Sequence, residues 1–116
     1  MPDLARGAVF WAAPDPTVGV EQAGRRPFVT VASAGYLEQV TNLVIAVPVT
    51  STRRGWPNHV PLMGATGLDV ECFAMTEQVR TLARARIVKT AGTVDHQTMG
   101  SIDSWLRDFL QLERVD

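Results

Sequence analysis

The strongest constraint on the fold is that glycine, proline and polar turn residues cut the first three quarters of the chain into short apolar runs. Residues 8–13 form one such run, which ends at Pro14 and Pro16. Residues 27–32 and 43–47 form two more, both rich in β-branched side chains. Runs of this length suit strands better than helices. The pattern therefore predicts a sheet of many short strands.

The same pattern continues through the middle of the chain. Residues 59–62 and 70–75 predict two further strands, and Pro61 would confine the first of them to an edge of the sheet. Residues 86–89 predict a short last strand, whereas residues 78–82 carry no firm signal for strand or helix. We expect long polar loops between several of these runs.

The period of the apolar residues changes near the carboxy terminus. Asp95 is a favourable N-cap, and an apolar stripe at helical spacing follows it. The stripe consists of Met99, Ile102, Trp105, Leu106, Phe109 and Leu110. The sequence thus predicts a mainly β protein with a carboxy-terminal helix, an α+β fold built on a small curled antiparallel sheet or barrel. Its 116 residues fit one domain, spanning 1–116.

Charge is balanced overall but unevenly distributed. The formal net charge is −1, which argues against a generally basic nucleic-acid binder. Ten of the 11 basic residues are nevertheless arginines, whose planar fork suits bidentate phosphate contacts, and most of them lie between Arg25 and Lys89. A local basic face is therefore expected. The lone Cys72 has no partner for an internal disulfide and no apolar run is long enough to cross a bilayer, so we expect a cytoplasmic protein.

Groups that suit phosphate chemistry cluster at two predicted strand ends. Glu21, Arg25 and Arg26 come just before the strand at residue 27, and Thr50 and Ser51 follow the apolar run at residues 43–47. A carboxylate can take a proton and a guanidinium can neutralise phosphate. Since no His, Cys and Asp cluster has metal-ligand spacing, the set favours phosphodiester cleavage without a metal.

Four segments in order resemble the MazF/PemK toxin endoribonucleases. They read VFWAAPDPTVGVEQAGRRP at residues 9–27, NLVIAVPVTS at 42–51, GWPNHV at 55–60 and AMTEQVRTL at 74–82. The resemblance covers nearly the whole chain. It implies an SH3-like barrel of short antiparallel strands with a carboxy-terminal helix, as in MazF and CcdB. It also implies a homodimer that cuts single-stranded RNA without any cofactor.

The resemblance also implies a reaction and a partner protein. In the family the ribose 2′-hydroxyl attacks the adjacent phosphorus, leaving a 2′,3′-cyclic phosphate and a 5′-hydroxyl. Such toxins are held inactive by a cognate antitoxin, which we expect to be MazE-like and to lay an acidic, initially disordered segment along the RNA-binding groove.

Family positions assign roles to three residues. Arg26 would stabilise the charged phosphorane, Thr50 would donate a hydrogen bond to a phosphate oxygen, and Glu21 would accept the 2′-hydroxyl proton. A strand-end threonine that satisfies a turn amide is the structural alternative for Thr50. The expected RNA-binding residues are Arg25, Ser51, Arg53, Arg54, Trp56, Gln78, Arg80 and Arg86.

Several basic and titratable side chains have structural alternatives. Gln78, Arg80, Arg84 and Arg86 form a second candidate surface that could equally be a salt-bridged dimer face. His59 and His96 match no catalytic position of the family, so we expect surface or cap residues there. Some PemK-type toxins carry an aspartate where this chain has Ala83, so a mechanism that uses that aspartate is not expected.

Two other functions compete with RNA cleavage. The gyrase poison CcdB shares the fold, but its action depends on a Trp-Gly-Ile tail, whereas residues 113–116 read Glu-Arg-Val-Asp. The other alternative is a non-catalytic module that binds RNA through a basic groove.

Overall fold

The computed structural model describes residues 4–13 and 24–112, which contain seven strands and two α-helices. In chain order these are β1 (Ala8–Ala12), β2 (Arg26–Thr30), α1 (Ala34–Gln39), β3 (Leu43–Thr50), β4 (His59–Pro61), β5 (Phe73–Met75), β6 (Arg80–Ala83), β7 (Ile87–Thr93) and α2 (His96–Leu110). Short 3₁₀ turns at Thr76–Gln78 and Arg84–Arg86 flank β6. The segment at 78–82, which the sequence left unassigned, thus joins a 3₁₀ turn to a strand.

The strands form one antiparallel sheet in the order β4-β5-β3-β2-β1-β7. β3 lies at its centre because it is the longest strand and can bond on both edges. β2 pairs with one edge, while β6 and then β5 share the other. The predicted antiparallel sheet with a carboxy-terminal helix is confirmed, and among the described residues the sheet is open, with β4 and β7 at its edges.

A loop brings the two edges of this open sheet together. After β4 the chain runs across to the end of β7, where the Thr93 amide donates to the Ala65 carbonyl over 2.9 Å. Only glycine fits this approach. A Cβ on Gly67 would lie 2.1 Å from the Ala91 carbonyl oxygen, and a Cβ on Gly92 would lie 2.1 Å from that of Ala65. The backbone contact therefore curls the sheet towards a barrel.

Each face of the sheet buries its own apolar cluster, because successive strand residues point to opposite faces. The side that packs on α2 buries Val9, Val29, Val47, Val49, Val60 and Ile102. The opposite side, next to α1, buries Phe10, Phe28, Leu37, Val44, Ala46 and Leu82. The Phe10 and Phe28 rings stack there with centroids 5.6 Å apart.

The carboxy-terminal helix α2 begins as predicted. Asp95 caps it by accepting the Thr98 amide over 2.8 Å, and hydrogen bonds from Thr98 lower the pKa of Asp95 below its usual value. Met99 and Ile102 of the predicted stripe are buried, and complete burial of the Ile102 side chain stabilises the fold by roughly 1.5–3 kcal/mol. Phe109, near the helix end, is 45% exposed. Among the described residues, no helix is long and apolar enough to cross a membrane.

The short helix α1 has no counterpart among the elements predicted from the sequence. Ser33 caps it, since its Oγ accepts the Tyr36 amide over 3.1 Å. Six residues are too few for an apolar period to emerge.

Arg84 fastens α1 to the sheet. Its guanidinium donates to the backbone carbonyls of Leu37, Val40 and Leu43 over 2.5, 2.9 and 2.9 Å. The two helix-end carbonyls are groups that the helix itself leaves unbonded. Placing Arg84 on the candidate surface was therefore wrong, because its donors are used inside the fold.

Candidate functional site

Arg26 and Thr50 lie at the same end of the sheet. The β2–β3 register pairs Thr30 with Ala46 and Phe28 with Pro48. Arg26 begins β2 and Thr50 ends β3, each two residues beyond the Phe28–Pro48 pair, so both lie at the same end of these antiparallel strands. The sequence placed both at strand ends, and the fold brings the two ends together.

Arg26 is the first residue of β2 and is exposed. It lies opposite Ala12 of β1. Within residues 4–13 and 24–112, no hydrogen bond or ion pair occupies its guanidinium. None of its five N–H donors is therefore used by another described residue.

Thr50 is the last residue of β3 and is half-buried. Its Oγ1 accepts the Thr52 amide over 3.1 Å, so the structural alternative for this residue is present. A hydroxyl that accepts one hydrogen bond still has its own proton to donate. The turn thus orients Thr50 without using up its donor, and the exposed Ser51 follows directly.

Arg53 extends this face on the other side of Thr50. Phe73 of β5 pairs with Thr50, and the Arg53 guanidinium carbon lies 5.0 Å above the centre of the Phe73 ring. The same guanidinium bonds to Glu71 over 2.7 Å. Because both side chains are more than half exposed, solvent screens this ion pair and it stabilises little.

Arg25 and Arg86 lie at the same end of the sheet as Arg26. The Ala13 amide donates to the Arg86 carbonyl over 3.1 Å, which places Arg86 beside the end of β1. Arg25 lines a cavity of about 240 Å³ with Trp11, Val88 and Lys89. These cations and the two hydroxyls of Thr50 and Ser51 form what we call the rim: Arg25, Arg26, Thr50, Ser51, Arg53 and Arg86.

Arg54 and Trp56 lie further along the β3–β4 loop, residues 51–58. The Trp56 ring is 49% exposed, and the Arg54 guanidinium carbon lies 5.9 Å from its centre. Beneath it, the His59 ring centre is 4.7 Å from that of Trp56. The expectation that His59 is a surface residue was wrong, because pairing of β4 with Met75 of β5 buries it.

Glu77 receives three side-chain hydrogen bonds at the base of this loop. Asn58 Nδ2 donates over 2.7 Å, His59 Nε2 lies 3.1 Å from both carboxylate oxygens, and Gln78 Nε2 donates over 3.3 Å. Partial burial raises the pKa of Glu77, but hydrogen bonds from His59, its own amide and Gln78 outweigh this and lower the pKa below its usual value. Glu77 is therefore ionised at neutral pH.

Two remaining candidates lie at the margin of this region, and one lies outside it. Gln78 is exposed and also contacts Met75 Sδ over 3.6 Å. Arg80 is exposed opposite Ala46, about 13 Å along β3 from Thr50 at the usual strand rise. Glu21 lies outside the described residues, and so its predicted role stays a prediction.

Sequence reasoning did not single out Glu71, Glu77, Asn58 or Phe73. Each gains its place through the pairing of β4 with β5 or of β5 with β3, contacts between segments far apart in sequence. Only the segment AMTEQVRTL pointed near Glu77. In the described parts of the chain, no group of three or more His, Cys, Asp or Glu side chains is placed to hold a metal ion.

Comparisons with known proteins identify the family. Residues 5–110 match the family model described as PemK-like, MazF-like toxin of type II toxin-antitoxin system. The endoribonuclease toxin MazF of Escherichia coli is 37% identical over 81% of this chain and 80% of its own length. Endoribonuclease MazF9 of Mycobacterium tuberculosis is 32% identical over 94% of this chain and 98% of its own.

A solved structure extends the similarity to the whole fold. MazF in a MazE-MazF crystal structure from Deinococcus radiodurans superposes with a TM-score of 0.83 and 27% identity, covering 97% of this chain and all of that one. The family model covers most of the chain, and both curated relatives exceed 30% identity. The chain therefore belongs to the PemK-like, MazF-like toxin family of type II toxin-antitoxin systems.

Proposed function

We propose that this chain cleaves single-stranded RNA by attack of a ribose 2′-hydroxyl on the adjacent phosphorus, with Arg26 and Thr50 at the reacting phosphate and no metal or other cofactor. RNA cleavage as such follows from the family and from relatives named as endoribonucleases. The observation that carries the proposal is that Arg26 begins β2 and Thr50 ends the antiparallel strand β3, which puts both at one end of the sheet, and Arg26 has no hydrogen bond or ion pair among the described residues.

Each side chain would act on a different part of the transition state. The 2′-oxygen forms a bond to phosphorus, the bond from phosphorus to the 5′-oxygen breaks, and a cyclic phosphate and a 5′-hydroxyl result. The Arg26 guanidinium faces the extra negative charge on the phosphorane oxygens, and the Thr50 hydroxyl donates to one of them. Arginine keeps its proton, so its contribution is electrostatic.

Two protons must also move. By family resemblance Glu21 would accept the proton of the 2′-hydroxyl, and water would supply a proton to the departing 5′-oxygen. Glu21 lies outside the described residues, and its role rests on the family resemblance.

The rim and the loop at 51–58 suit a flexible single strand. Arg25, Arg53 and Arg86 offer guanidinium groups to successive phosphates, and Arg54 with Trp56 offers planar surfaces on which an unpaired base can stack. Gln78 and Arg80, both exposed, would add contacts at the margin of this region. Unpaired bases are also the part of RNA that proteins read most readily.

We also propose the assembly and control that the relatives display. MazE-MazF complexes from Deinococcus radiodurans support a MazE-like antitoxin, whose acidic segment would cover the arginines of the rim. The active form would be a homodimer in the cytoplasm.

Cleavage in the presence of EDTA tests the chemistry. The purified protein should cut a long single-stranded RNA in excess EDTA, and cut-site mapping by sequencing should give fragments with 5′-hydroxyl and cyclic phosphate ends. An oligonucleotide with deoxyribose at the mapped site should stay intact. Cleavage that stops with EDTA would exclude the metal-free mechanism, and cleavage of the deoxy substrate would exclude the 2′-hydroxyl nucleophile.

Binding without cleavage would favour the non-catalytic alternative. That outcome requires the protein to bind RNA of many sequences and to release no fragments under any of these conditions.

A further inference from the structure

Glu77 is one of two acidic residues, with Glu71, beside a surface that mainly presents arginines. Its side chain is 30% exposed and lies beside the loop at 51–58, which carries Arg53, Arg54 and Trp56. On electrostatic grounds alone, a carboxylate at this place repels RNA phosphate and weakens binding. Its contacts point to a compensating role.

The carboxylate fastens the end of the loop to the turn after β5. Asn58 and His59 both bond to it, over 2.7 and 3.1 Å. A second link runs beside the first, since Asn58 Nδ2 donates to Thr76 Oγ1 over 3.2 Å and that hydroxyl donates back to the Asn58 carbonyl over 2.7 Å. The Thr76 hydroxyl alone, however, holds only Asn58.

His59 links Glu77 to Trp56, the aromatic residue of the loop. Its Nε2 faces both Glu77 oxygens, whereas its Nδ1 is buried with no partner among the described residues. A proton on Nε2 therefore satisfies Glu77, and the ring is held in one orientation. Trp56 packs on that ring, and the Trp56 carbonyl accepts the His59 amide over 3.0 Å.

We propose that Glu77 is a positioning residue for RNA binding. Through Asn58 and His59 it holds the loop in the conformation that presents Arg54 and Trp56 to RNA. This inference rests on the proposed function of the same surface. It adds that a negatively charged residue strengthens the binding of a negatively charged ligand by ordering its neighbours.

Glu71 provides the matched comparison. It is also an acid beside the same surface, but its bonded partner among the described residues is the exposed guanidinium of Arg53. Glu71 thus competes with phosphate for Arg53 and orders little. Removing Glu71 should therefore strengthen RNA binding, whereas removing Glu77 should weaken it, although both changes delete one negative charge.

The test measures binding and cleavage separately. Binding is read by fluorescence anisotropy of a labelled single-stranded RNA pool, and by a cut-site oligonucleotide with deoxyribose at the scissile position. Cleavage of the all-ribose oligonucleotide gives kcat and KM. The variants are E77A, E77Q, E77D and E71A, with E38A as a charge control on the exposed face of α1, and circular dichroism verifies their folding.

We expect E77A to raise Kd and KM about tenfold while kcat stays within about twofold of the parent, the scale of one or two lost charged hydrogen bonds. E77Q keeps one acceptor oxygen and should restore part of the binding. E77D keeps the charge but is shorter, and it should bind more weakly than the parent. E71A should lower Kd, and E38A should leave it unchanged.

Three results would overturn the proposal. They are an unchanged or lower Kd in E77A, an unchanged Kd in E77D, and a fall in kcat without a change in KM. If E77A does not fold, E77D and N58A decide the question, with faster amide exchange at residues 51–58 as the structural readout. Because the RNA-pool measurement needs no cleavage, a protein that binds but never cuts would overturn the proposed function and still test this one.

Discussion

The two ends of strand β3 each have an arginine beside them, and the two arginines are used in opposite ways. Beside Leu43, at the start of the strand, Arg84 donates to three backbone carbonyls. At the end of the strand, marked by Thr50, the neighbouring strand β2 begins with Arg26, which is exposed and has no hydrogen bond or ion pair among the described residues. Both residues are arginines, but Arg84 has backbone carbonyls within hydrogen-bond distance and Arg26 has no such acceptor among the described residues.

The difference separates stability from function along one strand. A guanidinium whose donors are satisfied by carbonyls stabilises the fold and has little left to offer a ligand. An unpaired guanidinium adds nothing comparable to stability, yet its donors are already placed for an anion. We call the end of β3 at Leu43 the closed end and the end at Thr50 the open end. Substitution of the arginine at the closed end should lower stability, whereas substitution of the arginine at the open end should leave stability unchanged and impair only the interaction with RNA.

The open end is tested most directly by Arg26→Ala. We expect kcat to fall by roughly 10²–10³-fold, the usual cost of removing one donor to a transition-state anion, with no loss in Tm. Single-turnover cleavage and thermal melting measure the two effects. Arg107→Ala, which removes the same charge from α2, serves as the control, and near-normal cleavage by Arg26→Ala would remove this residue from the site.

The closed end is tested by Arg84→Ala. Loss of three hydrogen bonds to carbonyls should lower the free energy of unfolding by about 2–4 kcal/mol, while each folded molecule keeps its cleavage rate. Urea unfolding measures the stability. Arg84→Lys should recover only part of it, because a single ammonium does not match three carbonyls. A loss of activity in the folded fraction would contradict the separation of the two ends.

The effect of substituting Thr50 should depend on whether the new side chain carries a hydroxyl. Thr50→Ala and Thr50→Val are expected to lose about 10²-fold in kcat, and Thr50→Ser only a few-fold, because serine keeps a donor. Thr81→Ala, an exposed threonine of β6, is the matched control for folding. If Thr50→Val cleaves as fast as Thr50→Ser, the hydroxyl serves only the turn at Thr52.

The smallest effect should come from Arg25. Arg25→Ala is expected to raise Kd for single-stranded RNA a few-fold and to reduce the slope of log K against log salt by about 0.7, the loss of one phosphate contact. A salt titration of binding measures this. An unchanged slope would place Arg25 outside the RNA path, and Arg107→Ala gives the baseline.

The sequence predicted the parts of the fold that rest on local signals. The cap at Asp95 and the apolar stripe after it predicted α2, and the central run at residues 43–47 predicted β3, which the structure extends to Thr50. Helix α1 was missed because its six residues are too few to show an apolar period, and the bond from Arg84 to the Leu37 carbonyl joins residues 47 positions apart. His59 was misplaced because its burial depends on pairing with β5.

The candidate site, like the fold, contains residues that the sequence predicted and others that it did not. Resemblance picked out Arg26 and Thr50, but their place at the same end of the sheet depends on the antiparallel pairing of β2 with β3. Neither Glu71 nor Glu77 could be ranked from sequence, since a surface acid and an anchoring acid look alike until their partners are known.

The backbone approach between Gly67 and Gly92 has a consequence for genetic selections. When cells are selected for survival of a toxin, every substitution that abolishes the active protein is recovered. A side chain at either glycine would strike a carbonyl of the facing segment, and no change elsewhere in sequence removes a carbonyl. Survivors should therefore carry changes at Gly67 and Gly92 as well as at Arg26 and Thr50, and only their protein levels would tell a failed fold from a failed nuclease.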